Sequence, residues 1–239
     1  MVVNKNLRLQ DKKISIVGLG YVGLPLLIEF SKKFNVVGFD TDEKRINDLK
    51  VGIDHTKEVP DKDLHYLNDL LLTIKSKDIK DSSIYIITVP TPVDSANKPN
   101  LNPIISASKT VGQLLNVDDI VIFESTVYPG CTEEICVPIL ESKSGLIYNS
   151  DFFCGYSPER INPGDSKYTL TKIKKITSGS NEKTSNFIAD LYSSIITAGI
   201  YKASSIAVAE AAKVIENTQR DVNIALINEL AIIFNELKI

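Results

Sequence analysis

The sequence of 239 residues predicts an α/β fold, a doubly wound parallel sheet with helices on both faces. One observation is that short apolar runs, typical of buried strands, alternate with longer segments in which apolar residues recur at helical spacing. The second is a glycine turn, Gly18 to Gly23, between the apolar run at residues 14–17 and the helical segment at residues 21–30. A strand, a glycine turn and a helix in this order are typical of a nucleotide-binding βαβ unit.

The remaining elements follow from the same patterns in chain order. The strand predicted at residues 83–88 ends before Pro90 and Pro92, because proline fits neither a helix interior nor a central strand. Thr132 is the predicted N-cap of a helix, with Glu133 and Glu134 in its first turn. In full, we predict strands at residues 14–17, 36–39, 83–88, 120–124, 152–156, 176–178 and 200–203, helices at residues 21–30, 46–49, 104–115, 132–140, 181–196 and 206–239, and a variable, charged segment at residues 51–70.

The glycine turn and the acid that follows it predict a dinucleotide site in a Rossmann-type domain. Gly18 allows the tight turn, Gly20 lets the backbone approach a pyrophosphate, and Gly23 lets the helix pack closely on the strand. Asp40 ends the second strand, 22 residues after Gly18, where it can accept a hydrogen bond from a ribose 2′-hydroxyl. Because a carboxylate repels a 2′-phosphate, the predicted cofactor is NAD rather than NADP.

The charge distribution argues against several classes of partner. The net charge is −3 and no basic stripe interleaved with aromatic residues is present, which argues against a nucleic-acid-binding surface. We interpret Lys44 and Arg45, on the helix after Asp40, as solvated charges. The basic cluster at residues 172–175 is interpreted as a solvated edge or turn, with a phosphate contact as the alternative. Residues 1–13 lack the apolar segment of a secretory signal, and no apolar run is long enough to span a bilayer. The sequence therefore predicts a cytoplasmic protein without a membrane partner.

The cysteines predict neither a disulfide nor a metal site. Cys131, Cys136 and Cys154 are odd in number, form no Cys-x-x-Cys pair and have no neighbouring histidine. In a cytoplasmic chain we expect them to be reduced thiols that pack as small apolar side chains.

Three predicted loops follow strands at the edge of the sheet where ligands bind. They lie at residues 89–92, 125–130 and 157–165. In open α/β sheets, ligands bind in the crevice outside the carboxyl ends of the strands. Position alone therefore nominates the polar residues of these loops as candidate site residues.

The last segment, residues 206–239, contains neither proline nor glycine and predicts one continuous helix. Its length is on the order of 50 Å, at about 1.5 Å per residue. Glu210, Lys213, Asn217 and Arg220 recur at steps of three and four, so they share one face of an otherwise apolar helix. This polar stripe has two interpretations. It is the solvent side of a packed helix, or it places a lysine and an amide in a cleft, where they could stabilise a developing oxyanion or hold an alcohol that loses a hydride.

Longer motifs indicate a family. In chain order they are Gly-Leu-Gly-Tyr-Val-Gly-Leu-Pro at residues 18–25, Val-Pro-Thr-Pro at 89–92, Glu-Ser-Thr-Val-Tyr-Pro-Gly at 124–130, Ser-Pro-Glu-Arg-Ile-Asn-Pro-Gly at 157–164 and Ala-Glu-Ala-Ala-Lys-Val-Ile-Glu-Asn at 209–217. Together they resemble the UDP-glucose/GDP-mannose dehydrogenase family. The motif at residues 157–164 is similar to that of the branch that acts on UDP-N-acetylhexosamines.

The resemblance implies an enzyme that oxidises C6 of a nucleotide sugar twice, from alcohol to carboxylate, with two NAD⁺. It implies that Lys213 and Asn217 stabilise oxyanions, that Glu159 assists thioester hydrolysis, and that Thr126 orders water near the nicotinamide. Surface capping of turns is the alternative role of Thr126 and Glu159. The implied substrate-binding residues are Arg160, Lys213, Asn217 and Arg220, and the nominated cofactor-binding residues are Gly18, Gly20, Tyr21, Val22, Gly23, Asp40, Arg45, Pro90, Thr91, Ser125, Thr126 and Glu159.

One motif of the family does not occur in this sequence. The family's nucleophile is a cysteine in a Gly-Gly-x-Cys motif, and none of the three cysteines follows paired glycines. We therefore expect the N-terminal half of a longer enzyme, with an NAD-binding Rossmann-like domain over residues 1–205 and the start of a central dimerisation helix over residues 206–239. We also expect a homodimer through this helix, a UDP-N-acetylhexosamine substrate, a role in cell-surface polysaccharide synthesis and no complete oxidation by the chain alone.

Two other functions stay open on the sequence. A 3-hydroxyacid dehydrogenase of the 6-phosphogluconate type also joins a Rossmann domain to a long helix with lysine and asparagine four residues apart. That group lacks the motif at residues 157–164, which ranks it lower. The other is a non-catalytic dinucleotide-binding module whose exposed helix recruits a partner.

Overall fold

The computed structural model describes residue 9 and residues 12–96, 98–160 and 170–239. Within them, eight strands form one sheet in the order β3-β2-β1-β4-β5-β6-β7-β8. The strands are β1 (Lys13–Val17), β2 (Asn35–Phe39), β3 (Leu71–Thr73), β4 (Ile84–Ile87), β5 (Ile120–Phe123), β6 (Phe153–Tyr156), β7 (Lys175–Gly179) and β8 (Ile200–Lys202). The strand order reverses between β1 and β4, the switch point where folds of this type bind ligands.

Five α-helices lie between these strands in the described ranges, and a sixth follows β8. They are α1 (Gly23–Ser31), α2 (Glu43–Lys50), α3 (Asn102–Gly112), α4 (Val137–Ser144), α5 (Glu182–Ser193) and α6 (Ile206–Leu237), and 3-10 segments lie at Asp61–Asp69, Ser76–Ile79 and Leu170–Lys172. Three helices begin with a side-chain cap, in which Asp42, Asn181 or Ser205 accepts a hydrogen bond from the backbone N–H three residues on.

Two apolar cores, one on each face of the sheet, confirm the doubly wound fold. Ile14 and Ile16 of β1 pack with residues of α1 and α5. Val17, at the end of the same strand, packs in the other core with residues of α3, α4 and the first turn of α6. Successive side chains of a strand point to opposite faces, so the central strands contribute to both cores.

The two outer parts of the sheet differ from the prediction. β7 runs antiparallel to β6, with Tyr156 opposite Ser178, whereas the alternation of strands and helices predicted a wholly parallel sheet. A parallel neighbour needs a crossover connection, usually a helix, and an antiparallel neighbour does not. At the other edge, β3 pairs with β2 and was not predicted, because three residues are too few to show a period.

The helix after β5 also differs in its start and its end. Thr132 is not an N-cap, since it lies in a π-helical turn, Thr132–Cys136, that leads directly into α4. Its hydroxyl is buried and has no hydrogen-bond partner among the described residues. Glu133 and Glu134 do lie in the first turn as predicted, and α4 continues to Ser144 rather than ending at residue 140.

The long helix α6 is continuous, as predicted, and the structure describes all of it. Only its first turn is buried, through Ile206, Ala209 and Glu210. Beyond that turn its large apolar side chains are exposed, for example Ile227 with an exposed fraction of 63% and Leu237 with 61%. Neither α6 nor any other helix in the described ranges combines the length and apolarity that a membrane crossing requires.

Candidate functional site

A cleft of about 630 Å³ lies at the carboxyl ends of the strands on both sides of the switch point. One wall is the glycine turn after β1 together with the end of β2 and the start of α2. The opposite wall is the loop after β4 and the first turns of α3. Its lining residues include Gly18, Leu19, Gly20, Asp40, Thr41, Asp42, Lys44, Arg45, His55, Thr56, Thr88, Val89, Pro90, Pro103 and Ser106.

Two glycines of the turn are required by the packing of the chain itself. Gly18 has a φ of +97°, which side chains with a Cβ rarely adopt. A Cβ on Gly23 would lie 1.8 Å from the carbonyl oxygen of Gly18 and 2.5 Å from the hydroxyl of Thr88. That hydroxyl donates to the same carbonyl oxygen at 2.6 Å, so the turn, α1 and the end of β4 are closely packed.

Gly20 is different, because a Cβ there would meet no described atom within 4 Å. The internal packing of the chain therefore gives no reason for glycine at this position. The cleft that Gly20 lines does give one, since a pyrophosphate must approach the backbone closely. The open space at Gly20 fits the dinucleotide that the sequence predicts.

Asp40 lies at the end of β2 and lines the cleft. One of its carboxylate oxygens accepts from the backbone N–H of Leu19 at 2.7 Å, and the other accepts from that of Asp42 at 2.9 Å. These two bonds fix the carboxylate against the glycine turn. Each carboxylate oxygen has a second lone pair, so a ribose hydroxyl can still donate to it.

Arg45 corrects the interpretation of the basic residues after Asp40. Its side chain is only 11% exposed, and its guanidinium lies 2.8 Å from the carboxylate of Asp54. Its Nε also donates to the carbonyl oxygen of Leu19 at 2.8 Å. Arg45 is therefore part of the cleft wall rather than a solvated charge, whereas Lys44 lines the cleft and is exposed, as predicted.

The loops after β4 and β5 are joined by hydrogen bonds at the edge of the sheet. The hydroxyl of Ser125 donates to the carbonyl oxygen of Val89, and that of Thr91 donates to the carbonyl oxygen of Thr126, both at 2.6 Å. Ser125 is buried and Thr126 is exposed. Of the other nominated positions, Pro90 lines the cleft, Val22 is buried at the start of α1, and Tyr21 is 45% exposed.

Behind the third loop lies a buried cluster of charged residues, Glu124, Glu159 and Lys175. The Lys175 ammonium lies 2.5 Å from the carboxylate of Glu124 and 3.4 Å from that of Glu159. The hydroxyl of Tyr192 donates to the other oxygen of Glu124. Lys175 is 2% exposed, so the prediction that the cluster at residues 172–175 is solvated is wrong at this position.

Burial and charge act in opposite directions on this cluster. Burial raises the pKa of Glu124 to about 7, although the nearby ammonium of Lys175 opposes the shift. Burial alone would lower the pKa of Lys175, but Glu124 and Glu159 outweigh it and raise that pKa. The lysine is therefore protonated at neutral pH and neutralises part of the buried negative charge.

The polar stripe on α6 divides into buried and exposed members. Glu210 is fully buried, and its carboxylate accepts from the backbone N–H groups of Gly130 at 2.6 Å and Thr132 at 2.9 Å. Lys213 is half-buried and donates to the backbone carbonyl of Glu159 at 2.5 Å. Burial lowers the pKa of Lys213.

The outer members of the stripe face solvent. Asn217 and Arg220 are exposed, and Arg220 lies 3.5 Å from the carboxylate of Glu216 one turn away. Arg160 donates to the same carboxylate at 3.0 and 3.2 Å, and to the carbonyl oxygen of Lys174 at 3.0 Å. The hydrogen bond from Arg160, together with the nearby cations, lowers the pKa of Glu216 even though burial opposes the shift.

The stripe therefore has a packed part and a solvent side. Its first members contact the core and the third loop, and its last members, Asn217 and Arg220, face solvent. A joint role of Lys213 and Asn217 in a cleft stays a prediction. Residues 161–165 of the third loop lie outside the described residues.

The sequence gives no signal for the burial of Lys175 and Tyr192, because their partner Glu124 is 51 and 68 residues away. The motif that begins at residue 124 was the only local signal for Glu124. Asp54 was missed although its partners Arg45 and Thr56 are close in the chain, because it lies in a segment without a periodic pattern.

The cysteines have no access to the cleft. Cys131, Cys136 and Cys154 are fully buried and form no disulfide. Burial raises the pKa of the Cys154 thiol well above its usual value. A hydrogen bond with Cys136, together with burial, raises the pKa of the Cys131 thiol.

Comparison with known proteins agrees with this geometry. The family model "UDP-glucose/GDP-mannose dehydrogenase family, NAD binding domain" matches residues 12–196, and that of the family's central domain matches residues 207–239. The UDP-N-acetyl-D-glucosamine 6-dehydrogenase of Salmonella typhi is 59% identical over 97% of this chain and 54% of its own length. The protein of the same name from Pseudomonas aeruginosa is 57% identical over 97% of this chain and 55% of its own.

The solved structure of a UDP-D-ManNAc dehydrogenase from Pyrococcus horikoshii superimposes with a TM-score of 0.86 at 34% identity, covering 95% of this chain and 55% of that one. The chain thus spans about half the length of the relatives it matches. It belongs to the UDP-glucose/GDP-mannose dehydrogenase family and carries that family's NAD-binding domain.

Proposed function

We propose that this chain is the cofactor-binding part of a UDP-N-acetylhexosamine 6-dehydrogenase that oxidises C6 from alcohol to carboxylate with two NAD⁺. The observation that carries the proposal is the position of Lys213, whose ammonium lies against the backbone of Glu159 at the edge of the sheet. Relatives named UDP-N-acetyl-D-glucosamine 6-dehydrogenase support the choice of substrate class. We further propose that the product serves the synthesis of a cell-surface polysaccharide and that the enzyme works in the cytoplasm.

When bound, NAD would supply the hydride acceptor for each oxidation at C6, and the glycine turn and Asp40 would hold it. The residues of this chain hold and polarise the reacting groups. Lys213 and Asn217 stabilise the negative charge that develops on the C6 oxygen, Lys213 with its cation and Asn217 with its amide. Glu159 takes a proton from the water that hydrolyses the thioester, and the hydroxyl of Thr126 orients that water. Arg160 and Arg220 contact the substrate.

The thioester needs a nucleophilic cysteine from outside this chain. The three cysteines of the chain are fully buried, and burial raises the pKa of Cys154, which keeps that thiol protonated. We therefore expect the chain alone to bind NAD but to complete no oxidation. Sustained NADH formation by the chain alone with UDP-N-acetylglucosamine would contradict this expectation.

The catalytic test uses the chain joined to the sequence that follows it in its parent protein. Changing Lys213 to Ala should lower kcat far more than it lowers NAD affinity, because the cation acts on the reacting oxygen. Asp40→Asn should do the opposite and weaken NAD binding by about 1–3 kcal/mol, since it removes a charged acceptor at the ribose. A collapse of NAD affinity in Lys213→Ala would overturn the oxyanion role.

We further propose that two copies associate through α6. Its outer turns expose Ile227, Ile232, Ile233, Phe234 and Leu237, an apolar surface that water does not favour. Sedimentation of the chain at several concentrations tests the association. A dimer without affinity for uridine nucleotides would support the enzyme proposal. A monomer that binds NAD but no uridine nucleotide would favour the non-catalytic module.

A further inference from the structure

Glu159, the base of the proposed reaction, holds its carboxylate inside the protein, where its side chain is 6% exposed. One carboxylate oxygen accepts from the backbone N–H of Arg160 at 2.6 Å, and the other lies 3.4 Å from the ammonium of Lys175. The backbone carbonyl of Glu159 accepts from Lys213. The proposed reaction gives Lys213 a task, but it gives none to Lys175.

Lys175 is itself held from its other side. Its ammonium lies 2.5 Å from the carboxylate of Glu124, which follows β5 directly and is buried. Tyr192 of α5, also buried, donates to the other oxygen of that carboxylate. The ammonium lies 5.6 Å from the centre of the Tyr192 ring as well. The contacts thus run from Tyr192 through Glu124 and Lys175 to Glu159, so the first three side chains fix the position of the fourth.

Stability of the fold alone does not explain a lysine at this place. A buried ion pair is often no more stable than well-packed apolar side chains of similar volume. The neighbouring base does explain it, because burial favours the protonated form of a carboxylate, whereas an adjacent cation favours the ionised form. Burial opposes the charge of Lys175, but Glu124 and Glu159 outweigh it and raise the pKa of the lysine, so the ammonium stays charged at neutral pH.

The charged and titratable groups that act on Glu159 come from several elements of the described chain. They are Tyr21 of the glycine turn, Glu124 after β5, Lys175 of β7, Tyr192 of α5 and Lys213 of α6. The two lysines contact different parts of Glu159, since Lys175 faces its carboxylate and Lys213 its backbone carbonyl. Their effects on the reaction can therefore be separated.

We propose that Lys175 is a positioning residue, which with Glu124 and Tyr192 orients the carboxylate of Glu159 and keeps it ionised for hydrolysis of the thioester. In that step water attacks the thioester carbon and one proton of the water passes to Glu159. The new C–O bond forms, the C–S bond breaks and the cysteine leaves as a thiolate. The inference rests on the proposed function, because it concerns one step of that reaction.

The test follows the thioester in the chain joined to the sequence that follows it in its parent protein. With protein in excess over UDP-N-acetylglucosamine and with NAD⁺ present, the mass added to the protein is measured against time at several pH values. NADH formation in the same mixture measures the two oxidations. Glu124→Gln is the background for Lys175→Met, because it removes the carboxylate that Lys175→Met alone would leave buried without its cation.

The double variant Glu124→Gln/Lys175→Met should hydrolyse the thioester about 5- to 10-fold more slowly than Glu124→Gln does, since the base is less well held. The acid side of its pH profile should move to higher pH by about one unit, because the cation beside the base is gone. The rate and amount of NADH formed in the first round should not change. Asp190→Asn and Lys183→Met, at exposed positions of α5, make the same kinds of change and should leave hydrolysis as in the wild type.

Two results would overturn the inference and leave the proposed function intact. One is the same pH profile of hydrolysis in the double variant and in Glu124→Gln. The other is a first round of NADH formation that slows as much as hydrolysis does, which would mean that Lys175 supports only the fold. A wild-type protein that forms no NADH with UDP-N-acetylglucosamine would overturn the proposed function, and this inference with it.

Discussion

The cofactor cleft and the polar face of α6 hold their functional side chains in different ways. In the cleft, Asp40 and Arg45 each contact two different groups of this chain and are fixed against the glycine turn. On α6, only the first turn and Lys213 are held against the sheet, and Asn217 lies exposed. The chain therefore organises the cofactor end by itself, whereas the outer part of α6 keeps apolar and polar surface available for other contacts.

The buried cluster around Lys175 lies behind the loop that Lys213 contacts, and changing it should have the largest effect on the free energy of unfolding. Lys175→Met leaves Glu124 and Glu159 buried without the lysine's charge, so we expect a loss of about 3–5 kcal/mol in the free energy of unfolding. Urea denaturation measures it, with Lys174→Met, an exposed neighbour, as the control. A loss similar to that of the control would mean that the three side chains do not act as one unit.

A pair of glycine variants separates stability from binding within the cleft. Gly23→Ala places a Cβ 1.8 Å from a carbonyl oxygen and should cost about 3 kcal/mol or more. Gly20→Ala meets no described atom and should change stability by less than about 0.5 kcal/mol. It should nevertheless weaken NAD binding about tenfold, because the methyl group occupies space that the pyrophosphate needs. Unchanged NAD affinity in Gly20→Ala would place the cofactor elsewhere.

The two parts of α6 can be compared directly with matched glutamate variants. Glu210→Gln replaces a buried carboxylate that accepts two backbone hydrogen bonds, and we expect a loss of about 1–3 kcal/mol in the free energy of unfolding. Glu229→Gln on the exposed part should stay within about 0.5 kcal/mol of the wild type. Equal effects in thermal melts would contradict the division of α6 into a packed turn and an exposed part.

The smallest expected effect is a pH dependence of the free energy of unfolding that originates at the start of β5. Burial raises the pKa of Asp119, at the start of β5, from 3.8 to about 6. Between these values the folded chain binds more protons than the unfolded chain, so the free energy of unfolding should fall as the pH rises, by about 1–2 kcal/mol for this group. Asp119→Asn should flatten that decline and Asp190→Asn should not. The same pH slope in the wild type and in Asp119→Asn would contradict the assignment.

Much of this architecture could be predicted from the sequence because its signals are local. Each of these signals lies within a few residues of the strand that it follows: the glycine turn after β1, Asp40 after β2, and Pro90 and Pro92 after β4. The burial of Lys175 could not be predicted, since its partner Glu124 is 51 residues away. The same holds for Glu210, which contacts Gly130 from 80 residues away.

Two local predictions failed for a different reason. Arg45 lies on a helix between charged residues, a sequence context that is typical of a solvated charge. Its ion pair with Asp54, nine residues later, holds it in the wall of the cleft instead. Thr132 has the side chain of an N-cap, but the residue before it, Cys131, already has a helical backbone conformation, so Thr132 lies inside the π-helical turn. In the first case a carboxylate from another element, and in the second the backbone before the residue, determines a role that the local sequence does not suggest.

The reversal of β7 has an electrostatic consequence. An antiparallel strand starts at the rim where its parallel neighbours finish, so its first residue, Lys175, arrives beside the last residues of β5 and β6. If β7 ran in the same direction as β5 and β6, Lys175 would lie at the opposite edge of the sheet. Glu124 and Glu159 would then lie close together without the lysine. The direction of β7 thus determines whether a counter-ion reaches the edge at which β5 and β6 end.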